Sequence, residues 1–160
     1  MLDTIAVTIE PVDTINTTEP YHDTSELERL IAAFEACSLP KPKWTHQAHL
    51  MVALWYNLHY DPEPALNKVR EAILAYNAAT GTLQTPTGGY HETMTIFWMW
   101  AVRAYLAGAN EKTSIVELAN GLLRSKYAER KFPFVYYSAE RLFSWDARTA
   151  WMEPDIGPLK

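Results

Sequence analysis

Residues 45–60, THQAHLMVALWYNLHY, decide the fold of this chain. Residues 48–55 place apolar side chains on nearly every side of a helix, and a helix without a polar face belongs in the middle of a protein. Thr45, just before this run, supplies the hydroxyl of an N-cap. A second run of the same kind covers residues 91–107. We therefore predict an all-α fold organised around two buried helices.

Four further segments carry apolar residues three and four positions apart, between turn residues. Together with the buried pair they predict a compact bundle of about six helices, a single helical domain over residues 23–160. An irregular N-terminal arm precedes it at residues 1–22, and a proline-containing C-terminal tail follows. Residues 2–10 alternate weakly, which is compatible with a short edge strand, an ordered arm or a mobile tail. The further helices are predicted at residues 25–37, 63–79 and 113–124 and from Pro133 onward, before a short turn at 145–151.

Several helix beginnings are marked by side chains that accept backbone N–H groups. Ser25 with Glu28, and Ser114 with Glu117, have the spacing of a capping box. Asp61, followed by a proline, has the pattern of an N-cap before a residue that needs no N–H partner. These signals fix where the predicted helices start.

Composition places the chain among globular domains. Its 160 residues are 48% hydrophobic and carry a net charge of −5 without a basic stripe, so we expect no nucleic-acid partner. Its longest apolar stretch, residues 94–106, is too short to span a bilayer, so we expect no membrane role. The single cysteine, Cys37, excludes an internal disulfide, and the first residues lack a signal-peptide pattern. We expect a soluble, cytoplasmic protein.

Polar residues capable of chemistry gather at the beginnings of the two buried helices. His46 and His49, three residues apart, share one face of the first turn of one helix. His91 and Glu92 open the other helix. One helix separates the two in sequence, and short connections favour antiparallel neighbours. Both buried helices should therefore begin at the same end of the bundle, with these four side chains close together.

The leading hypothesis is a small enzyme that acts on a small molecule through a divalent metal ion. Helix N-termini and burial both keep imidazole neutral, and neutral imidazole binds metals. His46, His49 and His91 would hold the ion, and Glu92 would be the fourth ligand or the general base. Zn, Ni, Mn and Fe(II) are equally compatible with this ligand set.

Two alternatives use the same cluster of residues without a metal. In a metal-free enzyme, His46 or His91 is the catalytic general base and Glu92 orients it, which suits isomerase, lyase or cyclase chemistry on a small apolar substrate. In a non-catalytic binding module, the helix N-termini receive an anionic ligand. A purely structural or partner-binding helical domain remains compatible with the sequence, and exposed aromatic residues are compatible with a homodimer.

Residues near the cluster are expected to complete a substrate-binding pocket. Trp44 and Tyr90 are the adjacent aromatic residues, and Arg148 reaches the site if the tail folds back across the end of the bundle. Tyr127 and Arg130 follow the fifth helix and are expected at the rim. The glycine pair that precedes Tyr90 allows the backbone to turn closely over the site. The two other histidines, His22 and His59, are expected to be structural.

Three motifs carry a resemblance to other proteins: WTHQAHL at residues 44–50, GYHET at residues 89–93, and an ending with Ala147-Arg148, Trp151 and Glu153-Pro154-Asp155. Over residues 44–159 the chain resembles a group of small bacterial all-helical proteins of uncharacterised activity. The resemblance implies the helical fold and no particular reaction. The histidine arrangement is also loosely similar to metal-binding helical bundles of the DinB type, which use histidines from separate helices.

Overall fold

The computed structural model describes residues 19–160, and in this part of the chain the regular structure is helical. Short 3₁₀ turns at Lys41–Lys43, Lys126–Ala128 and Phe132–Val135 join the helices. The all-α prediction is confirmed. The helices are α1 (Thr24–Glu35), α2 (His46–His59), α3 (Pro62–Ala79), α4 (Glu92–Ala107), α5 (Ile115–Arg124), α6 (Ala139–Leu142) and α7 (Trp145–Thr149).

The predicted central helices, α2 and α4, are central in the structure. Seven of the fourteen residues of α2 are buried, because α1, α3, α4 and α5 all pack around it. Thr45 is its N-cap, and the hydroxyl accepts the backbone N–H of Ala48 at 3.2 Å. His91 is the N-cap of α4, and α4 packs along α2. The absence of a polar face was therefore a correct guide to position.

Helix boundaries are correct where the capping residue was correct. Ser114 and Glu117 form the predicted capping box of α5. For α1 the box is formed by Asp23 and Glu26 instead of Ser25 and Glu28. Ser25 cannot cap the helix because its hydroxyl donates to the Asp23 carboxylate at 2.5 Å. A carboxylate two residues upstream therefore displaced the predicted start.

The helix predicted from Pro133 is divided into a 3₁₀ turn and the short helix α6, and the turn predicted at residues 145–151 forms the short helix α7. Ser138 is the N-cap of α6 and Ser144 is the N-cap of α7, so a new helix begins after each serine. Asp155 in the tail accepts both the backbone N–H and the hydroxyl of Ser138, at 2.8 and 2.6 Å. The tail thus holds Ser138 in position at the beginning of α6.

Two groups of buried side chains form the core. The larger group lies between α1, α2, α3, α4 and α5, and includes Phe34 and Tyr76. The smaller group surrounds Phe97 of α4 and includes Tyr137 and Leu142. Trp98 packs against both groups, so α4 joins them into one apolar interior.

The C-terminal tail is anchored to the start of α4. Thr93 is fully buried, and its hydroxyl donates to the carbonyl of Ala150 at 2.7 Å while it accepts the N–H of Met152 at 3.1 Å. The hydroxyl of Tyr137 donates to the carbonyl of Met152 at 2.8 Å. The tail therefore packs against the beginning of α4, beside the predicted site.

The last residues of the predicted arm are attached to α5. Tyr21 exchanges two backbone hydrogen bonds with the side-chain amide of Asn120, at 3.1 and 2.8 Å. Glu19 forms an ion pair with Arg124. The strand predicted as one alternative for residues 2–10 lies outside the described residues.

Among residues 19–160, no helix combines the length and the apolar character needed to cross a membrane. Phe134 and Phe143 contact each other at the surface, and Trp145 is also exposed. These aromatic side chains are the kind of feature that suggested a homodimer, which stays a prediction.

Candidate functional site

The beginnings of α2 and α4 line a common cavity of about 610 Å³. The two helices run in the same direction, because residues farther along both helices are also in contact. The side-chain amide of Asn57 in α2 donates to the carbonyl of Met99 in α4 at 3.2 Å and accepts from Arg103 at 3.3 Å. The structure therefore has the arrangement expected from the order of the helices. Of the residues singled out from sequence, the cavity is lined by Trp44, His46, His49, Tyr90, His91 and Arg130.

His91 caps α4 and is hydrogen-bonded at both ring nitrogens. Its Nδ1 accepts the N–H of Met94 at 3.1 Å, and its Nε2–H donates to the carbonyl of Leu142 at 2.8 Å. Burial lowers the pKa of the imidazole, which is neutral in this arrangement. Because no lone pair is left, His91 does not fit the predicted roles of metal ligand and general base. It links α4 to α6.

Glu92 lies in the first turn of α4 but is turned toward α3. Arg70 binds its carboxylate through two hydrogen bonds of 3.0 and 2.5 Å, and the hydroxyl of Tyr90 donates to the same carboxylate. Burial alone would raise the pKa of Glu92, but these hydrogen bonds outweigh it and lower the pKa. Glu92 is therefore ionised, as predicted. However, it is not among the residues that line the cavity and does not orient a histidine.

His49 has one ring nitrogen available to the cavity. Its Nδ1–H donates to the carbonyl of Thr45 at 2.7 Å, and its ring stacks on Trp44 with 3.7 Å between centroids. Burial lowers the pKa of His49 to about 4. At neutral pH the ring is uncharged, and Nε2 is a hydrogen-bond acceptor held in a fixed orientation.

His46 has a similar arrangement with the nitrogens exchanged. Its Nε2–H donates to the carbonyl of Ala128 at 2.8 Å, so Nδ1 carries the lone pair. The ring packs against Trp98 in an edge contact of 4.9 Å. Burial lowers the pKa of His46, and the positive charge of Arg130 lowers it further. This imidazole is also neutral at pH 7.

The loop before α4 is held by side chains that bind its backbone. The Gln84 amide exchanges two hydrogen bonds with the backbone of Tyr90, at 2.8 and 2.9 Å. Gly89 has a positive φ of 84°, and a Cβ there would lie 2.8 Å from the carbonyl of Leu83. Only glycine allows this close turn over the cavity, as predicted. The loop therefore presents Tyr90 in one position.

Arg148 was predicted to help form the substrate-binding pocket, and the structure gives it a different role. It is 8% exposed, and its guanidinium donates to the carbonyls of Pro86, Gly89 and Tyr90 at 3.2 to 3.4 Å. Its donors hold the loop, and Arg148 is not among the residues that line the cavity. The buried guanidinium is thus a structural support for Tyr90.

The predicted four-ligand metal site is not assembled. Within residues 19–160, no group of three or more His, Cys, Asp or Glu side chains is placed to hold a metal ion. Of the four predicted ligands, His91 has no free nitrogen and Glu92 is paired with Arg70. The other two, His46 and His49, each have one ring nitrogen bonded to a backbone carbonyl, of Ala128 and Thr45.

Sequence reasoning missed several residues of the site. Trp98 lies seven residues after His91, two helical turns along the same face, so spacing could have identified it. Lys41 and Thr82 line the cavity from turns whose positions depend on tertiary packing. Arg70 was missed as the partner of Glu92, because spacing within one helix gives no information about a contact between α3 and α4.

No family model, no curated protein and no solved structure matches this chain. The resemblance to small bacterial helical proteins and to DinB-type bundles therefore stays a prediction, and the site is interpreted from its own geometry.

The structural role of His91 can be tested with two substitutions. His91→Ala removes the cap and the Leu142 contact, and we expect it to lower the free energy of unfolding by about 1–3 kcal/mol. His91→Asn keeps a capping side chain, so about half of that loss should be recovered. Urea unfolding measures both variants. Unchanged stability of His91→Ala would show that the ring is not needed for the fold.

The low pKa of His49 predicts a pH dependence of stability. In the unfolded chain the ring has its ordinary pKa of about 6.5, so below that value the unfolded state gains the proton first. The contribution of His49 to the free energy of unfolding is therefore greatest above pH 6.5. It decreases between pH 6.5 and about 4, and does not change further below pH 4. From pH 7.5 to 4, the wild type should lose about 2–3 kcal/mol more than His49→Gln.

The control for this pH profile is His59→Gln, at the other end of α2. His59 also stacks on a tryptophan and also has its Nδ1 bonded to a backbone carbonyl at 2.7 Å, but it is exposed. The difference from wild type should therefore be found with His49→Gln. Parallel profiles for wild type and His49→Gln, measured by urea unfolding at each pH, would contradict the assignment.

Proposed function

We propose that this protein binds a small, largely apolar molecule in the cavity between α2, α3 and α4. The observation that carries the proposal is the cavity, whose volume of about 610 Å³ is typical of small-molecule sites. Its depth is formed by aliphatic and thioether side chains, among them Val52, Val69, Ile73, Met94 and Met99. A ligand that fills it would remove this apolar surface from water, which favours binding.

The indole rings of Trp44 and Trp98 support an aromatic or branched ligand. Both line the cavity, and each is fixed by a ring contact: Trp44 stacks on Phe34 at 4.5 Å, and Trp98 meets Phe97 edge-on at 5.3 Å. Rigid aromatic walls lose little conformational entropy when a ligand binds.

The polar specificity of this proposed site comes from His49. Its Nε2 is a neutral acceptor, since Nδ1–H is committed to Thr45 and the pKa is about 4. A ligand with a hydroxyl or N–H group would satisfy this nitrogen, whereas a ligand without such a donor would leave it unpaired. Unpaired polar groups at a buried site cost about 1–3 kcal/mol, so the ligand should carry a donor.

A metal-free acid–base enzyme is the second candidate, and His46 is the residue that favours it. The carbonyl of Ala128 fixes its Nε2–H at 2.8 Å, which orients the ring and leaves Nδ1 as a proton acceptor. His49, with a pKa of about 4, is a poor base at pH 7. A metal-dependent form of this enzyme would use these two histidines as ligands, and the assay below distinguishes it by its need for an added ion.

Ligand binding is tested with N-phenyl-1-naphthylamine, an uncharged aromatic probe with one N–H donor whose fluorescence rises in apolar surroundings. We expect one site per chain in the wild type. Ile73→Trp fills the cavity and should weaken binding at least about tenfold, because the lost volume excludes the probe. Leu74→Trp is the matched control, since Leu74 is the exposed neighbour outside the cavity. Equal binding by both variants, or none by the wild type, would refute the proposal.

Catalysis is tested by incubating a bacterial small-molecule extract with the protein and following each compound by mass spectrometry. Wild type and His46→Ala are each assayed after chelation and after addition of Zn²⁺, Ni²⁺, Mn²⁺ or Fe²⁺. Consumption of a compound by chelated wild type alone supports the metal-free enzyme. Consumption that requires an added ion supports the metal-dependent form, and a compound that is bound but never consumed supports binding without catalysis.

A further inference from the structure

We infer that the ligand of this cavity is an amphipathic anion, with an apolar body in the depth and one carboxylate-type group at the mouth between Lys41 and Arg130. The inference rests on the proposed function and adds the charge and orientation of the ligand. It is carried by the distribution of charged side chains around the cavity.

The cavity is lined by two cationic side chains, Lys41 and Arg130, and by no aspartate or glutamate of residues 19–160. This contrasts with the whole chain, in which 19 acidic residues outnumber 14 basic ones. Within the described residues, neither cation takes part in a salt bridge. The two charges are therefore available to a ligand.

Arg130 lies close enough to the beginning of α2 to act on both histidines there. After burial, which is the main cause, its charge contributes to the lowered pKa of His46 and of His49. The N-terminus of α2 adds a partial positive charge of the same sign. Charges of one sign at the opening of an apolar cleft attract the opposite charge, and the low-dielectric walls strengthen this attraction.

The positions of these groups set the orientation of the ligand. Lys41 and Arg130 are exposed, so they lie where the cavity opens to solvent, whereas the lining residues Val52 and Met99 are buried. An anionic group would remain near water and the two cations, and the apolar body would enter first. The hydrogen-bond donor that His49 requires must belong to the body, because a carboxylate has no donor.

The test compares two probes with the same aromatic body. 8-Anilino-1-naphthalenesulfonate carries one negative charge, and N-phenyl-1-naphthylamine is its uncharged counterpart. We expect the wild type to bind the anion more tightly, and increasing NaCl should reduce this preference. In the double variant Lys41→Gln/Arg130→Gln, the anion should bind about fivefold more weakly or worse, with the uncharged probe changed less than twofold.

The matched control is Lys43→Gln/Lys131→Gln, which removes the same charge at neighbouring positions outside the cavity lining. It should keep the preference for the anion. Equal affinity of the wild type for both probes, with both lost in Ile73→Trp, would overturn the inference and leave the proposed function in place. An equal loss of the anion in both double variants would also overturn it. Binding that is insensitive to Ile73→Trp would instead refute the proposed function.

Discussion

The parallel packing of α2 against α4 is the constraint on which this end of the molecule depends. A helix beginning leaves backbone N–H groups without partners, and side chains can satisfy them. Thr45 supplies that side chain for α2, and His91 supplies it for α4. Since a threonine caps α2, the two histidines near its beginning, His46 and His49, each keep one ring nitrogen that is not used as a cap. His91 is the cap of α4 and both of its ring nitrogens are hydrogen-bonded, so the histidines that can bind a ligand are His46 and His49 of α2.

Backbone carbonyls then decide what each imidazole can do. The carbonyls of Thr45, Ala128 and Leu142 each accept one ring N–H, and so they fix three tautomers without a single carboxylate. A carbonyl orients an imidazole but stabilises its cation less than a carboxylate would. Burial therefore prevails, and the pKa values fall. Three partly buried, neutral imidazoles result, and those of His46 and His49 can each accept a hydrogen bond from a neutral donor.

The sequence predicted the common end of the bundle but not the function of each residue there. Apolar runs identified α2 and α4, and counting the intervening helix brought His46, His49 and His91 to one cavity. The roles of His91 and Glu92 required knowledge of contacts with α6 and α3, which lie far away in the chain. Local spacing contains no information about a carbonyl 51 residues downstream of His91. The capping of α1 shows the same limit at short range, because one competing carboxylate moved the helix start.

The pairing of Glu92 with Arg70 also keeps a carboxylate away from a cavity that neither residue lines. A first-turn carboxylate interacts favourably with the N-terminal dipole of α4, and alone it would place a negative charge next to His91. Arg70 neutralises that charge from the outer side, with two hydrogen bonds of 3.0 and 2.5 Å, and Tyr90 is held there by the same carboxylate. Glu92 can thus stabilise the N-terminus of α4, while Lys41 and Arg130 remain the charged residues that line the cavity. Selectivity for an anion would thus depend on the Arg70–Glu92 ion pair outside the cavity as well as on Lys41 and Arg130, which line it.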